Sequence, residues 1–283
     1  MISSGSEMTA ATLAGSSGIF WAQSAAATAV IRGANDTIVG SSTAIAATLS
    51  GSHAIALGEA GSTDFVDEGS NDTITGGSGA ETVSAQGQGL AVLGGSGNLD
   101  FVGGASGVTI VSGSGVSTVH GGSGGTVLDG GAGSAIVYFG TTGSLSYTAG
   151  AGNETLNASA ATTNNLVWGG SDTMGHNLLV GGSGKDTLVA GTGTDTLAGG
   201  GTSADLYLFF ESNGAAAPYD VVENFNTMAT VWLNSYGSGA AATALADATS
   251  SGGSTTLTLS DNTQITFAAV ASVSELQGHV VST

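Results

Sequence analysis

An apolar column recurs every nine residues along most of this chain. With GGSGKDTLV (Gly181 to Val189) taken as positions 1 to 9, the same frame holds without insertion from Ile31 to Tyr138. Position 8 reads Ile38, Ala47, Ala56, Phe65, Ile74, Val83, Val92, Phe101, Ile110, Val119, Leu128 and Val137, all apolar. Glycine and serine crowd positions 1 to 5, which makes a turn able to take positive φ. The last four positions are rich in Val, Ile, Leu and Thr and predict a short strand. Side chains alternate along a strand, so positions 6 and 8 share one face and 7 and 9 the other. Position 8 therefore faces inward. Beyond Tyr138 the frame continues with small slips through GTTGSLSYT, AGAGNETLN, AATTNNLVW, DTMGHNLLV and the GGSGKDTLVAGTGTDTLA pair to GTSADLYLF. In that last unit Asp205 falls near position 6, and Leu206 or Leu208 is expected to point inward.

Two such halves close one coil of about 18 residues, with two parallel sheets packed on each other. Each unit is too thin to bury its own face, so the array folds only by stacking. The expected class is all-β, a parallel β-solenoid. Its expected boundaries are an N-terminal cap over 1–30, the nonapeptide solenoid over 31–208, and C-terminal capping strands over 209–283.

Composition narrows the function. Fifty glycines with one proline and no Gly-X-Y period exclude collagen, and 41% hydrophobic content is too high for a disordered chain. Without cysteine there is no disulfide framework. Two basic residues, Arg32 and Lys185, stand against 21 acidic ones, for a net charge of -19. That excludes nucleic acid as a partner, and docking on anionic lipid with it. It also withholds the basic cluster with which β-helical enzymes cleave acidic polysaccharides. No apolar run reaches 18 residues, so no membrane insertion is expected. The opening MISSGSEMTAATLAGSSGIF has no basic segment and no continuous apolar core, so an N-terminal signal peptide is not expected. The acidic excess leaves two roles: solubility by repulsion, or neutralisation by a divalent cation.

GGSGKDTLV and GGSGAETVS resemble the GGxGxDxUx nonapeptide of the repeats-in-toxin (RTX) family, a calcium-binding β-helix repeat. DLYLFF, DVVENFN and TTLTLSDNTQITF are similar to the strands that close such rolls ahead of an uncleaved C-terminal signal. The resemblance covers Ile31 to Thr283, with a departure at TMATVWLNSYG, where the family usually carries another aspartate. It implies a right-handed parallel β-roll, export by type I secretion machinery to the outside of a bacterial cell, and Ca2+ held between turns by position-6 carboxylates and turn carbonyls. Calcium takes six to eight oxygens. In the regular units position 6 reads Asp36, Ile45, Ala54, Thr63, Asp72, Glu81, Leu90, Leu99, Val108, Ser117, Thr126 and Ala135. Asp36 lacks a carboxylate two units on at Ala54, and Asp72 lacks one at Leu90, so residues 85–138 are expected to be calcium-free. The later units offer Glu154, Asn177 and Asp195 on one edge and Asn165, Asp186 and Asp205 on the other. Gly182, Gly184 and Gly193 supply turn carbonyls, and Asp220 with Glu223 forms a further candidate at the cap.

Other residues carry less. His53, His120, His176 and His279 show no metal-ligand spacing and read as turn or surface residues. The single GxSxG match, Gly121 to Gly125 around Ser123, falls in the glycine turn of a repeat unit and not on a strand-to-helix elbow, so no catalysis is expected. Trp21, Trp168 and Trp232 read as core or cap packing. The outward columns of one sheet, Thr37/Val39, Ile55/Leu57, Thr73/Thr75, Ala91/Leu93, Thr109/Val111 and Val127/Asp129, are nearly free of charge. The other sheet carries Asp64 and Asp100. An apolar patch of that length is larger than a monomer ordinarily leaves wet. The expectation is a secreted, non-catalytic structural protein that assembles with copies of itself, or adheres, at the cell surface or in extracellular matrix. An aggregating antibacterial factor is one alternative. An ice-binding protein is another, weakened because Ile55, Ala91 and Val127 interrupt the Thr37, Thr73 and Thr109 column. An enzyme module without its catalytic domain is a third, and the length argues against it.

Overall fold

Parallel strands of alternating length build the protein in a computed structural model. It describes all residues except 1, 4–8, 24–25, 105, 134–135, 140–141 and 212–216, together with the side chains of 2–3, 9 and 136–139. The expected positions of Ala135, Ile136, Val137 and Tyr138 lie outside the described side chains. The chain divides into two compact units, Met1–Tyr138 and Phe139–Thr283.

In the first unit, five-residue strands such as Ile45–Leu49, Thr63–Asp67, Glu81–Ala85 and Leu99–Gly103 stack in parallel. Ala47, Phe65, Val83, Phe101 and Val119 form one continuous inward row. The other sheet uses shorter strands, Thr37–Val39, Ile55–Leu57, Thr73–Thr75 and Ala91–Leu93, whose inward row is Ile38, Ala56, Ile74 and Val92. Position 8 thus faces the core in both sheets, and position 6 is a second buried column that includes Asp36, Asp72 and Glu81. The true repeat is the 18-residue coil, because the two strands differ. The longer strand adds a third inward row of Leu13, Ile31, Leu49, Asp67 and Ala85, which the nonapeptide frame does not reveal.

The solenoid begins earlier than residue 31. Strands Thr9–Leu13, Ile19–Trp21 and Ala27–Ile31 continue the same registers, with Phe20, Ala27 and Ala29 buried. Small side chains at Gly18, Ala27 and Ala29 conceal the periodicity there. Turn geometry repeats too: Ser17, Asn35, His53, Asn71 and Gly89 all hold φ between 55° and 68° at successive coils. Asn and Gly tolerate this left-handed region best, which accounts for two Asn and a Gly in that column. His53 is one more residue of that turn.

Phe101 is fully buried and its neighbour Asp100 is exposed. Phe101→Asp is therefore expected to cost several kcal/mol, while Asp100→Ala stays within about 0.5 kcal/mol of wild type. Urea unfolding of the two variants checks this. The reverse order would place the frame one residue off.

The second unit stacks Leu145–Thr148, Leu166–Trp168, Thr187–Val189, Leu206–Phe210, Thr230–Asn234 and Val280–Ser282 in one sheet. Thr155–Asn157, His176–Val180, Thr194–Ala198, Tyr219–Glu223 and Gln264–Phe267 form the other. Strand Ser254–Thr258 then pairs antiparallel with both Gln264–Phe267 and Thr249–Ser251, and helix Ala240–Ala246 lies against this end. This hairpin and helix interrupt the parallel stacking, and strands Thr230–Asn234, Gln264–Phe267 and Val280–Ser282 carry the last rungs of the solenoid past residue 209. Phe225 meets Phe267 edge-on at 5.4 Å and the His279 ring at 5.9 Å, which gives His279 a packing role.

Two expectations change here. The inward residues after Asp205 are Tyr207 and Phe209, not Leu206 or Leu208. The frame simply continues from position 6 to position 8. Tyr207 can be buried because its hydroxyl accepts the Gly199 N–H at 2.9 Å and donates to the Glu223 carbonyl. Trp21 and Trp168 are not core: they stand outward at position 9, 43% and 41% exposed. Among the described residues no helix is long and apolar enough to cross a membrane.

Candidate functional site

Position 6 of the second unit builds two hydrogen-bonded ladders. On one edge the Leu145 N–H donates to Asn165 Oδ1 at 2.9 Å. Asn165 donates both its N–H and its Nδ2 to Asp186 Oδ1 at 2.8 Å, and the Asp186 N–H donates to Asp205 Oδ1 at 2.9 Å. On the other edge the Glu154 N–H donates to Asn177 Oδ1 at 3.1 Å, Asn177 Nδ2 to Asp195 Oδ1 at 2.9 Å, and the Asp195 N–H to Asp220 Oδ1 at 2.9 Å. The side chains of Asn165, Asp186, Asp205, Asn177, Asp195 and Asp220 thus each tie their own coil to the coil before it. The second carboxylate oxygen turns back on its own loop, where Gly182 N–H donates to Asp186 Oδ2 and Gly191 N–H to Asp195 Oδ2. Glu154 takes the Gly150 N–H and the Tyr147 hydroxyl. All seven ladder residues are buried.

Burial sets the electrostatics. Loss of solvent raises the carboxyls of Asp186 and Asp195 above their usual range, against the amide hydrogen bonds that favour the charged form. The same cause pushes Asp205 up to about 6 and Asp220 up to about 8, and repulsion from the neighbouring aspartate adds to it. Asp205 Oδ2 and Asp220 Oδ2 are buried with no hydrogen-bond partner. These orphaned oxygens are what a hard cation accepts. Gly182, Gly184 and Gly193 each pass close to a carbonyl of the coil before: a β-carbon on Gly182 would stand 2.2 Å from Ala161 O, on Gly184 2.3 Å from Thr163 O, and on Gly193 2.4 Å from Gly175 O. The oxygen-only donor set fits calcium in kind. Among the described residues, however, no three Asp, Glu, His or Cys side chains gather as a metal-ligand group. Any cation must draw on turn carbonyls as well.

The residues expected on each edge are brought together, and Asp220 joins the Asp195 edge. Glu223 does not join it. It lies three positions after Asp220 in the same strand, so it stands exposed on the outer face. Tyr147 and Tyr207 belong to these edges and were missed. Their signal is a tyrosine at position 8, where other units carry aliphatic or phenyl groups.

The outward face of the short-strand sheet in the first unit is in register as expected. Thr37, Ile55, Thr73, Ala91 and Thr109 form one row, and Val39, Leu57, Thr75, Leu93 and Val111 the next. Ile55 and Leu93 are each 43% exposed, and Val111 and Val127 are exposed too. Val39 departs from the expectation: it is 9% exposed, set between Trp21 and Leu57 in its row. Trp21 extends the apolar row by one coil.

The sequence matches no protein-family model, and no curated protein sequence matches it. The functional reading rests on the fold and on these two surfaces.

Proposed function

We propose that this chain is a secreted, non-catalytic structural protein that assembles with copies of itself through the outer face of its short-strand sheet, stabilised by calcium in its second unit. The observation that carries this reading is the registered outward ladder, exposed at Trp21, Ile55, Leu93 and Val111 and half-buried at Leu57 and Ala91, on a chain of net charge -19. A strongly acidic surface disperses a protein, and this face lacks charge until Asp129. Drying a Leu or Ile side chain fully is worth about 1.5–3 kcal/mol, so several in register support association. The opposite sheet presents Asp64 and Asp100 outward, which repel a second copy there.

Calcium, where bound, would be held by Asp186 and Asp205 on one edge and by Asp195 and Asp220 on the other, with glycine-turn carbonyls. Its positive charge would offset the loss of solvent and the mutual repulsion that raise these carboxyls. The resemblance to RTX repeats supports this assignment, and supports export by type I secretion.

Leu57→Lys with Leu93→Lys is expected to yield soluble monomer with an unchanged circular dichroism spectrum, where wild type scatters light as an assembly. A double variant that still assembles would remove the short-strand face from the proposal.

A further inference from the structure

The second unit has an uncharged outer face of its own. On its short-strand sheet one outward row runs Thr148, Trp168, Val189, Leu208, Trp232 and Val281, one residue per coil. The row beside it puts the hydroxyls of Ser146, Thr187 and Thr230 on alternate coils. No outward position on these six strands is ionisable, on a chain with 21 acidic residues. Trp168 and Val281 are exposed, and Phe210, at the end of its strand, is exposed beside them.

Val189 shows how the indole sits. It points outward yet is only 6% exposed, whereas Val111, outward in the first unit, is 37% exposed. Val111 stands between Leu93 and Asp129 in its row, and Val189 between Trp168 and Leu208. Val39, covered in the same way, likewise follows a tryptophan, Trp21. A leucine neighbour leaves an outward valine wet and a tryptophan neighbour dries it. The Trp168 ring therefore lies along the sheet over Val189, with one face to water. Three coils on, Trp232 donates its indole N–H to Thr283 Oγ1 at 3.1 Å, which fixes that ring and occupies its one polar atom. Three rungs at ~4.8 Å each set the two tryptophans about 14 Å apart.

We propose that this face binds a neutral β-1,4-linked polysaccharide, laid across the coils of the second unit on Trp168 and Trp232. An indole lying flat presents its π-face, whose negative quadrupole attracts the C–H groups on the broad side of a pyranose ring. Such a ring is apolar on its broad side and polar at its edge, and this face offers rings in one row and hydroxyls in the next. The β-1,4 linkage makes an extended ribbon that shows broad sides repeatedly, so it can follow a straight row of coils. A coiled α-linked chain cannot. An acidic polysaccharide finds no Lys or Arg on these strands and is repelled by the net charge of -19. The proposal rests neither on calcium nor on assembly through the first unit.

The test is depletion of the full chain from solution by microcrystalline cellulose and by chitin, with polygalacturonate beads as the acidic comparison. Wild type is expected to bind at least one of the two neutral polymers and to ignore polygalacturonate. Trp168→Ala with Trp232→Ala is expected to weaken that binding at least about tenfold with an unchanged circular dichroism spectrum, and Trp168→Ala alone serves if the double variant fails to fold. Trp168→Phe, which keeps a ring, is expected to retain binding. Leu57→Lys with Leu93→Lys, altered only in the first unit, is expected to bind the same polymer still, so sugar binding and assembly are read separately. No depletion by either neutral polymer overturns the proposal, and light scattering lost in the tryptophan variant would then assign the face to a second copy of the chain. Equal depletion of wild type and the tryptophan variant overturns it, and so does loss of binding in the first-unit variant.

Discussion

Asp186→Ala is expected to destabilise the second unit by about 4 kcal/mol or more, in chelator as well as in calcium. The carboxylate is the acceptor for three donors: the Asn165 N–H, Asn165 Nδ2 and the Gly182 N–H. Alanine leaves the Asn165 and Gly182 N–H groups buried without partners and Asn165 Nδ2 with the Thr163 carbonyl alone, and each orphaned donor costs about 1–3 kcal/mol. Asp186→Asn keeps the Oδ1 acceptor and is expected to cost less. Urea unfolding followed by circular dichroism, with and without chelator, reads both variants. An Asp186→Ala protein as stable as wild type in chelator would mean that the carboxylate serves only a cation and that the ladder holds nothing together.

Glu81→Leu is expected to stabilise the first unit at pH 8 and to do much less at pH 5. Glu81 is 3% exposed, its Oε1 has no partner, and burial pushes its carboxyl up to about 7 from the 4.5 of a free glutamate. Between those values the folded state holds a proton that the unfolded chain releases. The stability this group contributes is complete below pH 4.5 and is lost as pH rises through 7, a difference of about 3 kcal/mol. Leucine in the same row, between Thr63 and Leu99, has no proton to lose. Asp67 and Asp72, whose carboxyls burial also raises, bend the wild-type profile in the same direction, so the difference between wild type and variant is the quantity that isolates Glu81. Urea midpoints at the two pH values measure it. Parallel pH profiles would show that Glu81 is not held neutral in the fold.

The inward column was legible because position 8 is apolar in every regular unit and strand alternation does the rest. Phe65, Phe101 and Ile110 are buried as that argument requires. Three features were not legible. The nonapeptide frame treats both halves of a coil alike, so the longer strand and its third row, Ile31, Leu49 and Asp67, did not show. The first rungs are written in Gly18, Ala27 and Ala29, whose small side chains carry almost no hydropathy signal. The ladders depend on which backbone N–H each carboxylate meets one coil earlier, as Asp220 meets Asp195, and loops of unequal length between those coils hide that register from the sequence. The edges themselves were legible, because nearly every oxygen-bearing position-6 residue after Glu154 falls on one of them.

Self-assembly through the short-strand face is the central claim, and sedimentation equilibrium of the wild-type protein in calcium tests it most directly. The account predicts a mass that rises with concentration well above that of one 27.0 kDa chain. A single species of one chain's mass at the highest attainable concentration would contradict it.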